Sequence, residues 1–259
     1  MELHGRISEK IQFASEYEIF KQSQQYIEPN VSVCVGESDI HYNPYVYTPE
    51  LVDMGLPSGT LWAKCPIGTE SQEDVGLLFA WGEKTGYSVS QVGVDKNFSW
   101  ADYEYATSAD AQSNYGITKY NLTDGKIFLE PEDDIATILY GNKWHIPTVE
   151  QLQELIDNTD KSVSISGSNY NYVFTSKING NQLFFRQGLA YNGGFKEGSY
   201  NVIIPSNKVY VNNPWSTSMY SIILYNYSEY GKLKVRCLLE GGGSDRCYGW
   251  QIRPVRSVN

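Results

Sequence analysis

The sequence predicts an α+β domain over residues 48–259, in which short strands accompany two helices and a long irregular stretch, behind a small β-rich leader at residues 1–47. Three observations lead there. From residue 161 onward, short alternating apolar and polar runs are separated by Gly, Asn and Ser, the pattern of strands and turns. Two stretches between 131 and 156 carry a helical period instead. Aromatic residues make up 14% of the chain, 21 of them Tyr, a bias toward residues that fit a pleated surface.

In the leader, Lys10-Ile11-Gln12-Phe13-Ala14 reads as a strand. Ser15 with Glu18 has capping-box spacing for a short helix. Val31-Ser32-Val33-Cys34-Val35 and Ile40-His41-Tyr42-Asn43 read as a strand pair across the turn at 36–39. Such a unit is too small to be comfortable alone, so it is expected to pack on the main domain, a second copy or a larger assembly.

The main domain opens with two apolar strands around the turn Pro57-Ser58-Gly59, spaced as a hairpin. Residues 85–126 show no sustained period, and a long irregular excursion of this kind tends to be functional or disordered. A helix is expected from Pro131 to Tyr140, with Glu132, Asp133 and Asp134 in its first turn, where negative charge suits the dipole. A second begins at Pro147-Thr148, with Val149, Leu152, Leu155 and Ile156 as its apolar stripe. Trp62, Trp81 and Trp144 read as core anchors. Arg253 is expected in a buried or half-buried ion pair with Glu83 or Glu150.

Composition narrows the function. Lys and Arg number 20 against 30 Asp and Glu, a net charge of −10, and without basic clusters this argues against a nucleic-acid partner. No stretch approaches the roughly 20 apolar residues of a membrane span. The start, Met1 to Lys10, lacks the apolar region of a signal peptide, which predicts synthesis in a cytoplasm. Tyr, Ser, Asn and Gly are also the residues of adaptable recognition surfaces, so the tyrosines fit either a β-rich scaffold or a binding face.

Catalytic patterns do not stand out. There is no Gly-x-Ser-x-Gly elbow, phosphate-binding loop or His-Glu-x-x-His, and His4, His41 and His145 are scattered. Asp133 and Asp134 fit a helix start better than a metal, and the acidic loop Glu70–Asp74 lacks the dense oxygen ligands of calcium loops. No cofactor and no metal are expected. Four cysteines make no disulfide scaffold, and Cys34 and Cys65 lie in apolar surroundings.

The end of the chain is the most informative stretch. If Gly241-Gly242-Gly243 is a three-residue hairpin loop, Glu240 faces Ser244 and Cys237 lies opposite Cys247, within disulfide range. A packed thiol pair, a disulfide and a catalytic centre all remain open for those cysteines. The same register sets Arg236 opposite Tyr248 and Lys234 opposite Trp250, on the face away from Leu233, Val235, Cys237 and Leu239. Two cations beside two aromatics suit glycan or protein recognition. They equally suit a cross-strand pair that only stabilises the sheet, and a bulge at Gly249 would turn Trp250 into the core. Tyr220, Tyr225, Tyr227 and Tyr230 extend the candidate ligand-binding surface.

Five segments together resemble a known family. They are Val52-Asp53-Met54-Gly55-Leu56-Pro57-Ser58-Gly59-Thr60-Leu61-Trp62-Ala63-Lys64-Cys65, Gly76-Leu77-Leu78-Phe79-Ala80-Trp81-Gly82-Glu83, Gly141-Asn142-Lys143-Trp144-His145-Ile146-Pro147-Thr148, Trp215-Ser216-Thr217-Ser218 and Ile252-Arg253-Pro254-Val255. In order and spacing they resemble the C-type-lectin-like fold in its formylglycine-generating-enzyme-like form, more narrowly the fibrobacter-type major paralogous domain of gut bacteria of the Bacteroides kind and their phages. The resemblance implies a C-type-lectin-like domain of twisted antiparallel strands, two helices and long loops, whose closing stretch touches ligand. Residues 1–47 are similar to leaders of tail and fibre proteins of crAss-like phages.

Together these imply a non-enzymatic structural or fibre protein of a virion, made in the host cytoplasm. It would attach to other virion proteins through 1–47 and bind host surface polysaccharide or protein. A fibre protein would be a homo-oligomer, a trimer being one option. The alternative is a glycan-binding or adhesion protein on a bacterial cell surface.

Overall fold

The structure, a computed structural model, describes residues 48–110, 115–166, 169–186, 188–196, 201–212, 215–230 and 232–257. The leader at 1–47, with its expected strands, helix and Cys34, lies outside the described residues.

The first hairpin forms where the Pro-Ser-Gly turn predicts it. Strand β1 (Leu51–Asp53) runs antiparallel to β2 (Leu61–Ala63), with Val52 opposite Trp62. The Gly59 N–H donates to the Leu56 carbonyl at 2.8 Å. Next come the two-residue strand β3 (Leu78–Phe79) and an irregular excursion whose described residues include a 3₁₀ turn at Val89–Gln91. That excursion is packed: Phe98, Tyr103, Tyr105 and Tyr120 all lie in the core beside Trp81.

Helix α1 (Ile135–Tyr140) begins four residues later than Pro131 suggests. The reason is that the last of the three acids caps the helix, so that all three precede it. Asp134 is the N-cap, accepting from the N–H groups of Ala136 and Thr137 at 2.9 and 3.2 Å, and its second oxygen accepts from Ile146 N–H at 2.8 Å. A short side-chain oxygen at this position satisfies donors the helix cannot. Strand β4 (Trp144–His145) leads into α2 (Val149–Asp157), capped by Thr148 in a reciprocal box with Gln151. Leu152 and Leu155 of the expected stripe are fully buried.

The rest is sheet. β5 (Thr159–Ser166), β6 (Asn169–Ser176) and β7 (Gln182–Arg186) form a three-stranded meander. β8 (Leu189–Tyr191) and β9 (Gly194–Lys196) form a small hairpin. Three long strands follow: β10 (Asn201–Asn212), β11 (Trp215–Glu229) and β12 (Lys232–Asp245), paired in that order. The chain ends in β13 (Gly249–Gln251) and β14 (Val255–Arg256).

The α+β, C-type-lectin-like expectation therefore needs correcting. Among the described residues the fold is mostly β, four antiparallel sheets with two helices of six and nine residues. The physical reason lies after residue 200, where Asn, Ser and Gly do not break strands. Register shifts between Pro205 and Val209, and between Ser218 and Tyr220, absorb them inside long strands, as bulges do.

The end of the chain ties the small sheets together. β14 lies between β2 and β4, and β13 between β3 and β8. Two apolar clusters result, one around Trp81, Phe79 and Trp250, the other around Trp62, Leu152, Ile222 and Leu224. Trp62, Trp81 and Trp144 are all buried, as the sequence predicts. Arg253 is buried too, but its expected ion pair is absent among the described residues. Its guanidinium donates to the carbonyls of Ala63, Lys64 and Phe184 and lies 4.4 Å from the Phe185 ring centroid. Glu83 pairs with Lys96 instead, at 2.8 Å.

Candidate functional site

The candidate surface is built on the β11–β12 hairpin. Tyr, Ile, Leu and Val alternate along both strands, and alternation places successive side chains on opposite faces. On the inner face, Ile222 and Leu224 of β11 are fully buried and oppose Leu239 and Cys237 of β12. Burying each such side chain contributes about 1.5–3 kcal/mol, which fixes the register, since a one-residue slip would expose them all. The outer face changes character along its length. Near the domain, Ser221 is buried and its hydroxyl meets Ser244 Oγ at 2.8 Å. Toward the free end, Tyr225 opposes Arg236, Tyr227 opposes Lys234, and Glu229 opposes Lys232.

At that free end Lys232, Lys234 and Arg236 are exposed, and Tyr227 is 42% exposed. The Arg236 guanidinium lies 5.9 Å from the Tyr225 ring centroid. Tyr230 stands at the turn, 99% exposed, with φ of 51°. A non-glycine residue in the left-handed region is uncommon and, without a packing partner, marks a position held by its turn. Tyr225, Tyr227, Lys234 and Arg236 are therefore brought together, with Tyr230 at the turn beyond them.

Tyr220, Tyr248 and Trp250 are placed elsewhere. Tyr220 lies on the opposite face of β11, its ring edge-on to Tyr210 at 5.3 Å and under Lys208 Nζ at 5.3 Å. Trp250 is 2% exposed in β13, and its Nε1–H donates to the Asp245 carbonyl at 3.0 Å. Tyr248 is half-buried between Tyr191 and Trp250, at 5.5 and 5.9 Å between ring centroids.

The cause is one misplaced turn. Gly241-Gly242-Gly243 does not close a hairpin but continues β12, with Gly241 opposite Tyr220 and Glu240 opposite Ser221. Arg236 and Lys234 thus face Tyr225 and Tyr227, not Tyr248 and Trp250. The glycines serve a ring instead of a turn: a Cβ on Gly241 would lie 2.0 Å from Tyr210 Cδ2. Cys237 accordingly faces Leu224, while Cys247 is buried in the turn after β12, and both thiols are free. Burial pushes the Cys237 thiol up to about 11 and raises that of Cys247 further, the reverse of what a reactive thiol needs.

Two polar clusters escape sequence reasoning because their partners are far apart in the chain. Arg246 is fully buried, donating to Tyr103 Oη and to the carbonyls of Lys119, Tyr120 and Ser216, with its guanidinium 4.7 Å from the Trp81 ring centroid. Beside it Asp133 accepts from Lys119 Nζ and from Tyr120 Oη at 2.5 Å. Burial alone would raise the Asp133 carboxyl, but these donors hold it below its ordinary value. Both clusters are internally satisfied, which suits a rigid core more than proton transfer. His145 contacts the Ile146 carbonyl at 2.9 Å and Ser257 Oγ at 3.0 Å, in keeping with a packing role. Among the described residues no group of three His, Cys, Asp or Glu is disposed to hold a metal ion.

One open cleft, of about 350 Å³, lies between Gly68, Asp74, Val75, Arg186 and Phe195. Arg186 donates to the Glu73 carbonyl at 2.9 Å and faces Asp74 at 3.8 Å. Its cation is therefore already engaged. Comparison with protein-family models, curated proteins and solved structures finds no match to this chain.

Proposed function

We propose that this protein is a non-enzymatic binding module, displayed on a virion, that attaches to polysaccharide or protein on the surface of a bacterial host. The observation that carries the binding function is the free end of the β11–β12 outer face. There Tyr225–Arg236 and Tyr227–Lys234 stand as cross-strand pairs on an exposed surface. Rings beside cations offer apolar faces and charged donors at once, on a two-stranded scaffold anchored to the core by Ile222 and Leu224 on its other face. Placement on a virion rests on the likeness of residues 1–47 to fibre-protein leaders. Those residues would join other virion proteins, and a fibre would repeat the face in a homo-oligomer.

The test is attachment. Purified protein is mixed with a panel of gut bacteria of the Bacteroides kind and sedimented with the cells. Wild type is expected to co-sediment with a subset, and Arg236→Ala combined with Tyr227→Ala to remain in solution while melting at nearly the wild-type temperature. Unchanged attachment of the double variant would make these residues a sheet-stabilising set, worth about 0.2–1 kcal/mol per pair, and the protein a scaffold.

A further inference from the structure

The charge pattern of the hairpin narrows what it binds. Lys232, Lys234 and Arg236 alternate along β12, so their side chains share the outer face at intervals of about 6.8 Å, two strand residues apart. Among the described residues none of the three forms an ion pair. Lys64, Lys84, Lys96, Lys119, Lys126 and Arg186 pair with carboxylates, whereas Lys143, Lys161, Lys177, Lys196 and Lys208 are, like the hairpin cations, without an ion pair among the described residues; the hairpin differs in setting three such cations in one row. The chain as a whole carries −10. An acidic protein that keeps a row of three exposed cations on one strand, faced by a single carboxylate where Glu229 lies across from Lys232, presents a local positive field at Lys234 and Arg236 within a negative surround, which favours anionic ligands.

The facing strand adds a second requirement. Tyr227 sits directly across from Lys234 with its ring partly open to solvent. Cross-strand side chains are about 5 Å apart, roughly the width of one sugar ring. A pyranose stacked on Tyr227 would therefore hold a ring carboxylate or sulfate over Lys234, with the next charges along the polymer over Arg236 and Lys232. An acidic peptide would satisfy the cations but give the open tyrosine face nothing of matching shape. We propose that the ligand is an acidic polysaccharide, one bearing carboxylate or sulfate groups on its sugar units. This rests on the binding function proposed above and specifies its ligand class.

The experiment compares three polymers on the full chain: polygalacturonate, neutral dextran and poly-glutamate. Polygalacturonate is expected to bind, with affinity falling about tenfold or more between about 50 and about 200 mM salt as counterions are released. The variant carrying Lys232→Ser, Lys234→Ser and Arg236→Ser should lose that binding, and Tyr227→Ala should weaken polygalacturonate more than poly-glutamate. Dextran bound as well as polygalacturonate, without salt dependence, would overturn the acidic ligand and leave the binding surface standing. Poly-glutamate bound equally tightly and indifferent to Tyr227→Ala would overturn it in favour of an acidic protein. Failure of all three polymers, with cell attachment still lost in the hairpin variants, would also overturn it while sparing the surface. Cell attachment unchanged in those variants would remove both.

Discussion

Replacing Gly241 by Ala separates a glycine that turns the chain from one that seats a ring. Gly241 does not have a positive φ, so alanine meets no backbone penalty there. In a strand interior the change would ordinarily stabilise by about 0.5–1 kcal/mol. Here the added Cβ would lie 2.0 Å from Cδ2, 2.5 Å from Cε2 and 2.6 Å from Cγ of Tyr210. The whole ring must move, and it is held by Tyr220 at 5.3 Å between centroids. Overpacking of this kind costs about 1–3 kcal/mol, equivalent to about 2–4 °C in Tm for each kcal/mol in a domain of this size. Denaturant unfolding of wild type, Gly241→Ala, Tyr210→Ala and the double variant forms a cycle. The structure predicts that Gly241→Ala destabilises wild type but is neutral or stabilising once the Tyr210 ring is gone. A cost that persists in the Tyr210→Ala background, or none in wild type, would refute the ring-seat reasoning and restore a turn at 241–243.

Trp144→Ala is expected to cost about 3–5 kcal/mol, as for large core aromatics, whereas Tyr230→Ala, at a fully exposed turn, should leave the unfolding midpoint within error. Asp133→Asn should be most destabilising near neutral pH. The depressed Asp133 carboxyl contributes stability that is present above its ordinary value of 3.8 and lost as pH falls through the lower folded value. The gap between wild type and variant in urea melts should therefore close below about pH 3.8; a gap that widens on acidification would contradict the Lys119–Tyr120–Asp133 cluster. Cys237 and Cys247 should both be recovered as thiols from the non-reduced protein, each reacting slowly with iodoacetamide until denaturant is added. A Cys237–Cys247 crosslinked peptide in non-reducing mass spectrometry would mean that the register of β12 is wrong.

What could be read from the sequence was local. Helix α2 announces itself through Thr148 and its stripe of Leu152 and Leu155, and the β1–β2 hairpin through Pro57-Ser58-Gly59, because in each the decisive contacts lie within a few residues. The alternation of Leu233, Val235, Cys237 and Leu239 was equally legible and rightly set Lys234 and Arg236 on the other face, although Leu233, at the free end, stays exposed and not in the core. Their partners were not. Three consecutive glycines look like a turn when nothing nearby needs the space, and the ring that needs it, Tyr210, arrives from another strand. The same limit applies to Arg253 and Arg246. Sequence suggests that a closing arginine is buried, but three backbone carbonyls from two distant segments satisfy each guanidinium without a carboxylate. Helix α1 shows a smaller version: Asp134 reads as first-turn charge until Ile146, just past strand β4, supplies a third donor and fixes it as a cap.

The most direct test of the binding surface is amide hydrogen exchange of the whole protein with and without surface polysaccharide extracted from bacteria to which it attaches. Protection on ligand addition is predicted in β11 from Tyr225 to Glu229 and in β12 from Lys232 to Arg236, with β5–β7 and the cleft beside Arg186 unchanged. Protection centred on Gly68, Asp74 and Arg186, with the hairpin exchanging as before, would contradict the account and move the ligand to the cleft.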